Sequence, residues 1–305
     1  MGKKGDAVDG VLLLDKPESM SSNWALQLTR RLINARKAGH TGTLDPMATG
    51  LLPLAFGNAT KYSADLLHAD KRYRAVLALG AATDTMDKTG EVTERSDRTV
   101  TREQLEAVLP EFTGEIEQVP PMYSAIKFGG KNLYDLARKG VEVERRPRRV
   151  KVYELNLVAF DGNEAEIDVK VSKGTYIRVL ADDIGRRLGV FAHLKALRRT
   201  EVGSLSIRDA VPFSVIDDKN KTPQERRAYL KGADFLLQTL PEVRLTAELA
   251  ARLRNGQRLA RASRLSETLA RAYDDKGKLL GVVRVDARGT VHPHRLIRLE
   301  DEDAS

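Results

Sequence analysis

The chain has 305 residues, 41% apolar and 31% charged, which is room for one large domain or two smaller ones around a sizeable core. No run of about 18 apolar residues marks a membrane span, and the absence of cysteine excludes disulfides, thiolate metal sites and thiol nucleophiles together. A net charge of +8, with a pI near 9.5, points to a polyanionic partner.

In chain order, the opening Met-Gly-Lys-Lys-Gly-Asp lacks the apolar stretch of a signal peptide, and a cytoplasmic protein is expected. Gly10-Val11-Leu12-Leu13-Leu14-Asp15-Lys16-Pro17 is a short apolar run closed by proline, the pattern of a buried strand. Ser21 or Ser22 can cap a helix that follows, with Trp24, Leu28, Leu32 and Ala35 on one stripe. Residues 38–53 then gather Gly39, Gly42, Gly50, Pro46 and Pro53 around His40 and Asp45. Glycine tolerates positive φ, proline fixes its own φ, and Asp45 before Pro46 is biased towards extended backbone. A carboxylate in so stiff a turn has its direction set by the chain. The same residues also fit an ordinary Asp-Pro turn, so this stretch alone assigns no function.

From Tyr73 the positions Ala75, Leu77 and Leu79 alternate as in a strand, and Thr83 to Gly90 is turn chemistry. Thr101 with Gln104 makes a capping box ahead of a helix carrying Leu105, Val108 and Leu109. Pro120 to Lys151 interleaves lysines and arginines with Tyr123, Tyr134 and glycines and ends in four arginines around Pro147, which fits a mobile RNA-gripping insertion and equally an exposed hairpin with a solvated basic end. Ala165, Ile167, Val169 and Val171 alternate in a half-buried strand. After the Ser172-Lys173-Gly174-Thr175 turn comes a helix with Ile177, Leu180, Ala181, Ile184 and Leu188 on its apolar face. Arg178 in its first turn opposes the helix dipole, which fits an anionic partner or a free surface arginine. Asp217 to Arg227 is polar, as in a linker or long loop. After Pro241, Thr246 caps a short helix ending at Asn255-Gly256, and short strands such as Leu280 to Val285 follow. Between Thr246 and Arg298 twelve Lys or Arg stand against five Asp or Glu, before the acidic Glu300-Asp301-Glu302-Asp303. A basic segment without a strongly apolar amphipathic face suits nucleic acid better than a membrane.

Several chemistries drop out. No Gly-x-Gly-x-x-Gly follows a strand, no phosphate loop ends in Gly-Lys-Ser/Thr, and no histidine or carboxylate cluster suggests a metal. What remains is one carboxylate with tyrosine and arginine support, acting on a polyanionic substrate.

Gly39-His40-Thr41-Gly42-Thr43-Leu44-Asp45-Pro46, followed by Ala48-Thr49-Gly50-Leu51-Leu52, resembles the catalytic motif of TruB-type tRNA pseudouridine synthases. The likeness runs in order through Leu14-Asp15-Lys16-Pro17, Lys71-Arg72-Tyr73, Pro120-Pro121-Met122-Tyr123-Ser124-Ala125, Ser172-Lys173-Gly174-Thr175-Tyr176-Ile177-Arg178 and Leu197-Arg198-Arg199. The C-terminal segment resembles the family's small RNA-binding PUA domain more loosely.

The resemblance implies an α+β fold. A catalytic domain over residues 1–241, on an antiparallel or mixed sheet flanked by helices, would carry the insertion at about 120–151, and a β-rich PUA-like domain would span 242–305. It implies isomerisation of uridine at position 55 in the TΨC loop of tRNA by base flipping, without cofactor or metal. The enzyme would be a cytoplasmic monomer with no obligatory protein partner. Asp45 would be the nucleophile. Tyr73 would stack on the uracil and serve as a general base, and Arg178 would pair with Asp45 and keep it ionised. His40 would help displace the flipped nucleotide, Tyr176 and Leu197 would line the uracil pocket, and Lys16 would be a supporting contact. A tRNA-folding role would accompany catalysis. The alternatives are an RNA-binding chaperone without dominant catalysis and a guide-RNA-dependent relative sharing these motifs.

Overall fold

Eight apolar or alternating segments form the spine of a ten-stranded mixed sheet in the computed structural model, which describes residues 5–297 except Ala125. They are β1 (Gly10–Lys16), β2 (Thr49–Phe56), β3 (Lys71–Leu79), β4 (Gly114–Gln118), β5 (Arg148–Phe160), β6 (Glu164–Val171), β7 (Ala192–Val202) and β8 (Val211–Pro212). Their spatial order is β8-β1-β2-β7-β3-β6-β5-β4, with Ala38–His40 and Leu205–Ser206 paired to β2 and β7. The continuous apolar runs of β1 and β2 are buried on both faces, as a central strand requires. In β6, Ala165, Ile167, Val169 and Val171 face the core, while Asp168 and Glu166 pair across the sheet with Arg72 and Arg74 of β3.

The longer helices α1 (Ser22–Leu32), α2 (Arg102–Val108) and α3 (Ile177–Leu188) contribute to the same core, to which the short helix Phe213–Ile216 adds Phe213 and Ile216. The expected α1 stripe holds in part: Leu28 and Leu32 pack half-buried against the core, but the most buried face lies one residue out of phase. Ser22, Ala25, Leu26 and Thr29 are buried, whereas Trp24 is 51% exposed. The helix stops at Leu32, so Ala35 is buried from the segment beyond it. The capping box of Thr101 and Gln104 opens α2 as expected. The polar stretch 217–227 is not a linker. Arg226, itself buried, donates to the carbonyls of Ile216, Asp218 and Lys221 and fastens the loop to the body. Arg148 to Lys151, expected within the insertion, belong to β5 and pair with Gln118 to Glu115 of β4.

A second, four-stranded sheet follows, β9 (Glu242–Arg244), β10 (Thr268–Tyr273), β11 (Leu279–Val285) and β12 (Val291–Leu296), adjacent in that order. The helix α4 (Ala247–Arg254), capped by Thr246, packs Leu253 into a separate core with Ala270, Val283 and Val291. A seam joins this sheet to the large one: Tyr62 and Leu237 pack on Val282, and the Tyr62 hydroxyl donates to the Arg295 carbonyl at 3.1 Å. The acidic residues 300–303 lie outside the described residues. No helix among the described residues is long and apolar enough to cross a membrane.

Candidate active site

The site begins where β2 meets β7 in parallel, Thr49 against Arg198 and Gly50 against Arg199. Gly50 has φ +102°, and a Cβ there would lie 2.3 Å from the Arg199 carbonyl oxygen, so only glycine permits this approach. The turn that leads into β2 carries Asp45 and is fastened along its main chain. Ser22 of α1, 1% exposed, accepts from the Leu44 N–H at 2.8 Å and donates to the Leu44 carbonyl at 3.0 Å. The fully buried Lys16 at the end of β1 donates to the carbonyls of Pro17, Met20 and Pro46, and the Ser19 N–H also reaches Pro46. Arg199 of β7, equally buried, donates to the carbonyls of Leu51, Thr43 and Gly42. Its register partner on the neighbouring strand is Tyr73 of β3.

Arg178 arrives from the first turn of α3. Its Nε lies 2.9 Å from Asp45 Oδ2, Nη1 donates to the Thr85 carbonyl at 3.1 Å, and Nη2 donates to the Tyr123 carbonyl at 2.7 Å. Asp87 Oδ2 stands 3.7 Å from Nη1. Asp87 is itself held by the Thr85 hydroxyl and by the Thr89 N–H and hydroxyl. Arg178 is only 4% exposed, whereas 36% of the Asp45 side chain remains open. The acid is therefore presented to solvent by a buried cation.

Asp45, Tyr73, Arg178, Tyr176 and Leu197 line one cleft of about 250 Å³, together with Lys71, Ser124 and Arg199. Lys16 and His40 are placed differently. Lys16 lies beneath the Asp45 turn, all its hydrogen bonds directed to carbonyls, and burial pushes its ammonium down to about 8. His40 is half-buried on the short strand beside β2, and burial with the nearby Arg199 lowers its pKa, so the ring is neutral at pH 7. Within the cleft, desolvation raises the Asp45 carboxyl above its ordinary range; Arg178 opposes the rise and Asp87 adds to it. Desolvation also raises Tyr176. The expected pairing of Asp45 with Arg178 is present.

A family model for the TruB family pseudouridylate synthase N-terminal domain matches residues 30–177. Models for the tRNA pseudouridylate synthase B C-terminal domain and for the pseudouridine synthase II TruB C-terminus match 178–238 and 241–297. A protein of Dechloromonas aromatica named tRNA pseudouridine synthase B is 49% identical over 294 residues, 96% of this chain and 97% of that one. One of the same name from Cupriavidus metallidurans is 50% identical over 302 residues, 96% and 95% of the two chains. The chain belongs to the TruB family.

The TruB fold extends to a chain in the crystal structure of a Cbf5-Nop10-Gar1 complex, with TM-score 0.69, 27% identity, and 96% and 86% of the two chains covered. Within this TruB site, sequence reasoning passes over the roles of Asp87 and Ser22. The cluster Thr83-Asp84-Thr85-Met86-Asp87-Lys88-Thr89 carries a signal, because threonines flanking an aspartate bond it locally and leave one oxygen free to face outwards.

Proposed function

We propose that this TruB-family chain isomerises uridine at position 55 in the TΨC loop of tRNA, with Asp45 as nucleophile. Conversion of uridine to pseudouridine in tRNA follows from the family and from high-coverage relatives named for that activity. The observation that carries the mechanism is Asp45, open to the cleft and paired at 2.9 Å with the buried Arg178. The reaction breaks the N1–C1′ bond, forms a C5–C1′ bond, removes the hydrogen of C5 and returns one to N1. A single carboxylate can start it at C1′, at uracil C6 or by elimination to a glycal. All three routes need an ionised acid aimed at the nucleoside, which a main-chain-fastened turn supplies.

Tyr73 is the stacking platform for the uracil and the base for the C5 hydrogen. Arg199, the register partner of Tyr73 across β7 and β3, lines the cleft beside it. Leu197 and Tyr176 complete the pocket, and His40, neutral and with its buried Nδ1 left without a partner among the described residues, contacts the displaced RNA. Lys16 supports Pro46 rather than touching substrate. The uridine reaches the cleft by base flipping, at a cost of roughly a few kcal/mol, and the contacts that extrude it also give the chain a tRNA-folding role. We divide the chain near residue 241 into a catalytic part, with the insertion at 120–147 closing on the RNA, and a PUA-like RNA-binding part. It acts in the cytoplasm as a monomer on bare tRNA. The higher identity to the tRNA pseudouridine synthase B relatives than to the Cbf5-complex chain favours this over guide-dependent action.

The test is release of tritium from uridine C5 in an unmodified tRNA transcript, without guide RNA or partner protein, followed by mapping of the modified position. Pseudouridine confined to position 55 is expected. Tight binding without tritium release would favour the RNA-binding chaperone.

A further inference from the structure

The helix that carries Tyr176 and Arg178 starts without a cap of its own: Tyr176 occupies the N-cap position and no side chain of the helix bonds its first N–H groups. Uncapped N-termini leave main-chain donors to be satisfied from elsewhere. Gln118, 2% exposed at the end of β4 and 58 residues upstream, holds the N-cap residue itself. Its Oε1 accepts from the Tyr176 N–H at 3.0 Å, and its Nε2 donates to the Tyr176 carbonyl at 3.2 Å. A carboxamide facing one N–H and one C=O fits in a single orientation, because the flipped amide would set donor against donor and acceptor against acceptor.

We propose that Gln118 is a positioning residue for the reaction: its two-point clasp on the Tyr176 main chain fixes the start of α3, and through it the Arg178 guanidinium at Asp45. Arg178 follows Tyr176 by two residues, about 3 Å along the helix axis, so any slip of the N-cap passes directly to the ion pair. Gln118 is also the last β4 residue before the insertion, with its main chain in register with Arg148. One side chain thus ties the root of the insertion to the helix of the active site. Arg178 makes the second tie, through the Tyr123 carbonyl. The proposal rests on the function proposed above.

Two variants test it. Gln118→Met keeps length and removes both bonds; Gln118→Glu keeps the acceptor for the Tyr176 N–H and loses the donor. With saturating stem-loop RNA, the single-turnover rate of Gln118→Met is expected to fall about 10- to 100-fold, with Kd changed by less than about 3-fold. Gln118→Glu is expected to fall between it and wild type. The acid limb of the rate should move to higher pH in both. Asp45 is faced by Arg178 from α3, by Asp87 from the turn beyond β3 and by Lys16 from β1. Of these only Arg178 depends on the clasp, so a moved acid limb reports the helix, and a merely structural role would not move it. Wild-type rate and acid limb in either folded variant, or a loss confined to melting temperature or Kd, overturns the proposal. If Gln118→Met does not fold, Gln118→Glu is judged by the same criteria. Active wild type with unaffected variants refutes the clasp alone, whereas wild type that forms no pseudouridine refutes the proposed function.

Discussion

Gly42 to Asp45 line the cleft, whereas residues 126–147 follow in sequence from Ser124, which lines it too, and the two stretches are built differently. The first is fastened from β1, α1 and β7 by the buried side chains of Lys16, Ser22 and Arg199. The second carries Phe128, Tyr134 and Val141 exposed, with Leu133 buried beneath them and Arg145 reaching back to the Pro120 carbonyl. Reaction geometry tolerates little displacement, whereas a surface that grips a folded RNA must conform to it. Damage to the turn is therefore expected to appear in rate, and damage to the insertion in affinity.

The largest effect is expected from Asp45→Asn, which should lower tritium release by about 10⁴-fold or more while the stem-loop Kd stays near wild type. Substantial turnover by this variant would remove Asp45 as nucleophile. Arg178→Met comes next, with a loss of about 10²- to 10³-fold in rate. Its pH profile carries the sign. Asp45 must be ionised to attack, desolvation already raises it, and removing the cation raises it further. Activity should therefore be lost on acidification starting at higher pH than in wild type; an unmoved acid limb would separate Arg178 from the acid.

Ser22→Ala leaves the buried Leu44 N–H and carbonyl without their partner, and should cost about 1–3 kcal/mol in urea unfolding together with a lower rate. In the insertion and at its root, Arg146→Gln with Arg148→Gln should weaken binding and reduce the salt slope by about 0.7–0.9 for each phosphate no longer neutralised, with the rate at saturation kept. A lowered saturating rate instead would place these arginines with the turn. The smallest effect is expected from Arg252→Gln with Arg258→Gln in the C-terminal part, read as the salt dependence of tRNA binding. Substitution is preferable here to truncation, which would bare Tyr62 and Leu237 at the seam.

Much of this architecture is legible in the residues themselves. Alternation in Ala165 to Val171 and from Tyr73 onwards locates two adjacent strands, and the proline-bounded run after Gly10 a third. The phase of α1 is harder to read because Trp24, the bulkiest apolar residue, dominates a periodicity count, whereas the most buried face is made of Ser22, Ala25, Leu26 and Thr29. The anchoring of the 217–227 loop leaves no mark in the sequence, because a buried arginine holds it with polar bonds that have no period. In the site, the arginine in the first turn of α3 fits an anionic partner, but does not say which one. Asp45 lies 133 residues away from Arg178, and only the sheet brings them together. Gln118 is a polar residue at a strand end, and nothing local distinguishes it from a solvent-facing one.

The fastening of Gly42 to Pro46 has a consequence for how the site can change. Apart from the Asp45–Arg178 pair, the bonds that hold these residues from Lys16, Ser22 and Arg199 end on main-chain atoms. Position and reactivity are therefore inherited through different residues. A substitution at 22 or 199 moves the acid without altering it, one at 16 also removes a charge that acts on it, and one at Thr43 or Asp45 alters what is presented without moving its support. An engineer wishing to place a different nucleophile there inherits the scaffold intact.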